Sequence, residues 1–289
     1  MRIRKVLSAL LALVLAAVLL PAVQAPARAQ LFGVSEQQEI QIGREVERQL
    51  ARKPGFVNDP ALTQYVTGIG LKLAKVSERP TLPWTYHVLQ DTQVNALAAP
   101  GGFIFVTRGL LRFVQSDSEL AFVLGHETTH VAHRHAVELA QRDMELQFGA
   151  VLLTQLIFGG NMTAFQLAQI GRALLDAKYS REKEMEADHF GVIYAQRAGY
   201  DPTASLQFFE RLQKQEKQQP SLLHAFEDHP DTPARIAALC TELTQMGYHV
   251  ACPVPPAPAP VTSSAPPSPP RPTPRTPPSG DPGIGVFNR

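Results

Sequence analysis

Cysteine is nearly absent: among 289 residues only Cys240 and Cys252 occur, close together and in neither a CxxC nor a zinc-finger spacing. Thiolate ligands are therefore excluded from any metal site. In an oxidising compartment the two can pair and pin the last helix against the strand or turn after it; otherwise they are free thiols. An excess of positive charge is also missing. The chain holds 27 basic and 26 acidic side chains, and the first 29 residues take four of the basic ones and none of the acidic, which leaves the remainder at −3. Without a basic stripe there is no electrostatic footprint for nucleic acid, and a mildly acidic exterior has no general attraction to anionic lipid. Long apolar runs are lacking too. Residues 6–20 and 146–158 are each shorter than the ~18 residues that a membrane-spanning helix needs.

What is present divides the chain into three. Arg2, Arg4 and Lys5 precede the apolar run 6–20, which ends at Pro21 and then Ala27-Arg28-Ala29. A basic start, a short apolar stretch and a small-x-small site are the pattern of a signal peptide cleaved before Gln30; the alternative is an uncleaved N-terminal anchor. No cysteine follows the run, so lipid attachment there is not expected. At the other end, residues 253–289 hold 14 of the 25 prolines and too little apolar surface to form a core. An extended spacer is expected there. Residues 30–252 remain as one domain with a sizeable core.

Within that domain the pattern is mostly helical. Ser35 with Gln38 reads as a capping box opening a helix to about residue 53, and Leu62, Tyr65, Val66, Ile69 and Leu73 repeat at helical spacing over 60–76. Residues 84–89 and 103–107, rich in aromatic and β-branched side chains, read as strands joined through a turn-rich link over 95–102. A short helix is expected over 109–114. Ser116, Asp117, Ser118 and Glu119 cap a helix running to about residue 141, and further helices are expected over 163–179, 182–198, 202–218 and 231–246. Residues 146–158 are apolar enough for a buried helix or a partner-facing surface.

The helix from residue 120 carries His126-Glu127-Thr128-Thr129-His130. Two imidazoles at i and i+4 lie one turn apart on one face, where both reach a single tetrahedral metal ion. Glu127 beside them is placed to take a proton from water activated at the metal and return it to the leaving amine. The five-residue pattern also arises on charged surface helices. Here residues 120–125 are all apolar, and burying two His and a Glu without a partner would cost several kcal/mol, which favours a metal. A catalytic zinc needs a third protein ligand. His133 and His135 do not sit where the extended H-E-x-x-H-x-x-G-x-x-H pattern requires, since residue 136 is Ala. A downstream acid is the remaining source. Glu184 is the first choice, with Glu182 and Glu186 as spaced alternatives. Asp188, one turn after Glu184, suits a carboxylate that fixes a ligand imidazole.

These residues belong to a longer set: Asn95-Ala96-Leu97-Ala98-Ala99-Pro100-Gly101-Gly102, Gly109-Leu110-Leu111, the stretch 119–130, Ser180-Arg181-Glu182-Lys183-Glu184-Met185-Glu186-Ala187-Asp188, and His229-Pro230 with Arg235. In this order the set resembles the gluzincin metallopeptidases of the HtpX, CAAX prenyl endopeptidase and BepA type. The resemblance implies His126, His130 and Glu184 as ligands of one Zn2+ per chain, Glu127 as general base and Asp188 behind the ligands. It also implies that Gly101, Gly102 and Phe103 begin a strand beside the cleft against which an extended substrate pairs, and that His229 lies near the zinc, either donating to the oxyanion or gating the open position. Arg235 is the other candidate donor.

The expectation is thus an α+β, mainly α-helical zincin-like domain with a small sheet beside the active-site helix. It would act as an exported zinc endopeptidase on extended or misfolded polypeptides, with envelope protein or a peripheral membrane surface as a further contact. The rival is a zinc-bound chaperone or assembly factor that holds clients without cutting them.

Overall fold

The computed structural model describes residues 34–139, 164–175, 178–218 and 232–252. Helix α1 (Glu36–Arg52) opens on the capping box read from the sequence: the Ser35 side chain accepts from the Gln38 amide and Gln38 Oε1 from the Ser35 amide at 2.7 Å. Glu36 and Glu39 lie in its first turn, where acidic charge favours a helix N-terminus. Helix α2 (Pro60–Val76) is capped by Asp59 with Pro60 beside it, and its buried face is Val66, Ile69, Gly70 and Leu73.

The sheet contains β1 (Thr85–Leu89), β2 (Ala96–Ala99) and β3 (Phe103–Thr107) in the order β1-β3-β2. β3 runs parallel to β1 and antiparallel to β2, with Thr85 opposite Phe103 on one side and Ala99 opposite Phe103 on the other. All five β3 residues are buried. One expectation changes here. The stretch 95–102 is not simply a link, because residues 96–99 form β2. Its alanines have little intrinsic strand preference, and the strand exists through its hydrogen bonds to β3. The turn from β2 to β3 passes through Gly101 and Gly102 at φ of 81° and 100°, where a side chain would be strained. A Cβ on Gly101 would also come within 2.6 Å of the Ile40 Cα.

After the short α3 (Arg108–Phe113) comes α4 (Asp117–Ala132), capped by Ser116 and buried from Glu119 to its end. Its buried hydroxyls return to its own backbone, Thr128 to the Leu124 carbonyl at 2.7 Å and Thr129 to that of Gly125 at 2.9 Å. Glu119, buried, accepts from Arg211 of α7 (Ala204–Gln218) at 2.5 and 2.6 Å. The helix does not continue to about residue 141. It stops at His133, Arg134 takes φ 62°, and helix resumes over 135–139. Arg134 reaches from this turn to the buried Glu39 of α1 at 2.9 Å.

The remaining helices are α5 (Ala164–Leu175), α6 (Arg181–Arg197) and α8 (Thr232–Gln245). Phe122, Leu124, Tyr194, Phe208, Phe209, Ile236 and Leu243 join α4, α6, α7 and α8 into the main core. Among the described residues no helix is long and apolar enough to cross a membrane. The apolar stretch 146–158 lies outside the described residues, as do 1–33 and 253–289.

Cys240, buried in α8, is bonded to Cys252, with the Cα atoms 5.6 Å apart. A closed loop of this size restricts the unfolded chain by about 2 to 3 kcal/mol. The double variant Cys240→Ser/Cys252→Ser is expected to lose that much stability in denaturant unfolding followed without reductant.

Candidate metal centre

Backbone approach places the site. A Cβ on Gly125 of α4 would lie 2.9 Å from the Gly191 oxygen of α6, and one on Gly191 would lie 3.0 Å from the His126 amide nitrogen. The two helices therefore touch through backbone. Glu184 in the first turn of α6 consequently comes to the face of α4 that carries His126 and His130. His126 Nε2 lies 3.1 Å from His130 Nε2, and Glu184 presents Oε2 at 3.6 Å from the first and Oε1 at 3.6 Å from the second. Donors about 2.0–2.1 Å from a tetrahedral zinc are separated by about 3.3 Å, close to these three distances. The donor set fits.

The tautomer of His126 supports the same reading. Its Nδ1 faces Asp188 Oδ1 at 3.0 Å. Asp188 as a carboxylate only accepts, so Nδ1 carries the proton and Nε2 offers a lone pair toward His130 and Glu184. Burial raises the Asp188 pKa, but the charge and hydrogen bonds of Arg235, with that of His126, more than offset it and leave Asp188 below its ordinary value. Among the described residues, the carboxylates of Glu127, Glu184 and Asp188 share this buried space with one guanidinium, Arg235. Their charges sum to two negative, which a divalent cation balances.

Arg235, the other candidate donor, lies buried among carboxylates. It is 2% exposed, its Nε and one terminal nitrogen donate to the two Asp188 oxygens at 2.6 Å each, and the other terminal nitrogen lies 3.0 Å from Glu184 Oε2. Its guanidinium carbon sits 4.9 Å from the Phe209 ring centre. Three nitrogens of a planar fork are thus directed at the carboxylates of Asp188 and Glu184.

Gly101, Gly102 and Phe103, the expected docking residues, lead into the centre of the sheet. β3, which begins at Phe103 after Gly101 and Gly102, is the central strand and is hydrogen-bonded on both edges. The strands at the margins are β1 and β2. Ala98, Ala99 and Pro100 line a narrow crevice with His130 and Tyr179. The reason is topological: the Pro100–Gly102 turn folds β2 back outside β3, and no periodicity in the sequence reports strand order. Tyr179, absent from the sequence reading, stacks on His130 with ring centres 4.0 Å apart. Burial, with the nearby charges of Glu127 and Glu184, raises its pKa and keeps its phenol protonated. Only its place one residue before the Ser180 cap marks it in the sequence.

The other candidates separate cleanly. Glu184 and Asp188 are buried on the site-facing side of α6, Glu182 is exposed, and Glu186 pairs with His133 Nδ1 at 2.6 Å. His133 and His135 stand outside the His126/His130/Glu184 set. His229 lies outside the described residues.

Residues 60–243 match the sequence profile of peptidase family M48. The chain is similar to the β-barrel assembly-enhancing protease of Escherichia coli K12, 31% identical over 216 residues that cover 72% of this chain and 44% of that protein. It is 30% identical to the protein of the same name from Yersinia pestis over 238 residues, 80% of this chain and 48% of the other. Over 175 residues it is 33% identical to the mitochondrial metalloendopeptidase OMA1 of Schizosaccharomyces pombe, covering 60% and 51%. The chain spans about half the length of these relatives.

Removing Arg235 would leave two buried carboxylates facing each other's charge. Breaking a buried pair in this way costs about 3–5 kcal/mol, so Arg235→Ala is expected to lower unfolding free energy by that amount in urea titration of the metal-free protein.

Proposed function

Because the chain belongs to peptidase family M48, we propose that it is a zinc-dependent endopeptidase cleaving extended or misfolded exported polypeptides, in the quality control of envelope proteins. The observation that carries this reading is the convergence of His126 Nε2, His130 Nε2 and Glu184 within 3.1–3.6 Å of one another, with Glu127 next in chain on the same buried helix. His126, His130 and Glu184 would hold the ion. Zinc bound there supplies Lewis acidity, polarising a carbonyl and acidifying water.

The chain's own residues account for the rest. Glu127 takes the proton from the attacking water and returns it to the departing amine. Asp188 holds the proton of His126 on Nδ1, which keeps the ring turned to bind through Nε2. Arg235 keeps Asp188 ionised and in line. With Arg235 directed at carboxylates, the oxyanion donor is sought in His229 and in the protonated Tyr179. A substrate backbone in extended form would pair along the outer margin of β2, which reads main chain more than side chain. That selectivity suits unfolded segments of many sequences.

Support for an exported location comes from the signal-type start over residues 1–29 and the Cys240–Cys252 bond, a pairing found in oxidising compartments. The Escherichia coli relative is a β-barrel assembly-enhancing protease, which motivates envelope proteins as the substrate class. A zinc-bound holdase that grips without cutting has no need of a general base. Glu127, buried beside the ligands, counts against it.

Glu127→Gln is expected to reduce casein or misfolded-protein cleavage by about 100- to 10,000-fold while retaining one equivalent of zinc. Turnover at the wild-type rate would remove the mechanism. Chelation is expected to abolish cleavage in the wild type, and added zinc to restore it.

A further inference from the structure

Outside the three residues just assigned, a second group of metal-type donors comes together among the described residues: His133, His135 and Glu186. We propose that this group is the outer support of the first site and not a second metal site, with His135 as a positioning residue that accepts the Nδ1 proton of His130, and Glu186 as a negative charge beside the far side of His135. The inference rests on the reading that His130 binds zinc through Nε2.

Proton counting carries it. A neutral imidazole has one N–H. If His130 Nε2 offers its lone pair to a metal, its proton is on Nδ1. That atom faces His135 Nδ1 at 3.0 Å, and two N–H groups cannot face each other at that distance. His135 Nδ1 is therefore the acceptor and His135 carries its own proton on Nε2. Nε2 lies 3.3 Å from Glu186 Oε2, near enough for electrostatic attraction but without hydrogen-bond alignment, while the other Glu186 oxygen faces His133 Nδ1 at 2.6 Å. Both ligand imidazoles are thus backed by an acceptor, His126 by Asp188 and His130 by His135 Nδ1.

The same count excludes a metal on the second group while the first is loaded. Coordination by His135 Nε2 would move its proton to Nδ1, force His130 Nδ1 to accept, and put a proton on the His130 nitrogen that faces Glu184. Filling one site would empty the other. Lys183 Nζ, 3.5 Å from Glu186 Oε2, also places a positive charge beside the second group.

The helix break explains how His135 arrives there. In an unbroken α-helix, residue i+5 points about 140° away from residue i. His135 would then face away from His130. Instead the chain turns at His133 and Arg134, the latter at φ 62°, and His135 returns beneath His130 at 1% exposure.

The test is zinc affinity of the full chain, measured by competition with a chromophoric chelator. His135→Leu is expected to weaken zinc binding about 10- to 100-fold without loss of helical circular dichroism. His135→Asn, whose Oδ1 can stand in for the accepting Nδ1, is expected to recover most of that loss; a purely structural role would not separate the two variants in this way. Glu186→Gln, which removes the negative charge beside His135, is expected to weaken binding by a smaller factor, and it carries the test if His135→Leu does not fold. Wild-type affinity in a folded His135→Leu, or in Glu186→Gln where His135→Leu does not fold, would overturn the proposal. So would two zinc equivalents in the wild type with one lost in His133→Ala. His130→Ala separates the two readings: if it keeps zinc, the ligand assignment itself is wrong, whereas if it loses zinc while the His135 and Glu186 variants bind normally, only the supporting role is wrong.

Discussion

Two helices in backbone contact set the terms for everything else in this molecule. Gly125 and Gly191 let α4 and α6 approach so closely that any Cβ at either position would meet a backbone atom at 2.9–3.0 Å. Side chains at such a crossing normally hold helix axes about 8–10 Å apart. Without them, donors on two separate helices come within a few ångströms of one another. The single residue between Gly125 and Glu127 is His126, so the contact and the chemistry share one turn of α4.

That approach brings a concentration of buried charge, and the structure meets it in pairs. Asp188 faces both His126 and Arg235, Glu184 faces both histidines and Arg235, and Glu119 is clasped by Arg211. A low-dielectric interior makes each such pair strong when complete and expensive when broken. The surrounding shell of Phe122, Phe208, Phe209 and Leu124 is apolar, and within it Asp188 faces the Nδ1 of His126 and His135 that of His130. Stability and site geometry are therefore coupled: the ion pairs that orient the ligands also tie α4, α6 and α8 together.

Two departures from the periodic pattern turn out to be the places where the fold serves the site. β2 has alanine at three of its four positions and would not form alone. It is held by pairing with β3, and it forms the wall of the crevice beside His130. The break after Ala132 costs backbone strain at Arg134 and is held by that residue's contact with Glu39. It returns His135 to His130. Both features depend on partners outside their own segment, and local propensity carries no record of them.

What the sequence determined by itself was the local chemistry: the i, i+4 histidines with Glu127, the Glu184–Asp188 turn, the caps at Ser35 and Ser116, and the helices and strands whose apolar periodicity is strong. These are decided within a turn or two of chain, so spacing reports them. Only the tertiary structure decided which strands lie at the margins of the sheet, that Arg235 stands behind the ligands, that Tyr179 stacks on His130, and that the second histidine cluster backs the first. Each of those is a matter of which surfaces meet across the core, and the meeting is governed by helix approach, sheet order and the pairing of buried charges, none of which is a property of any one segment.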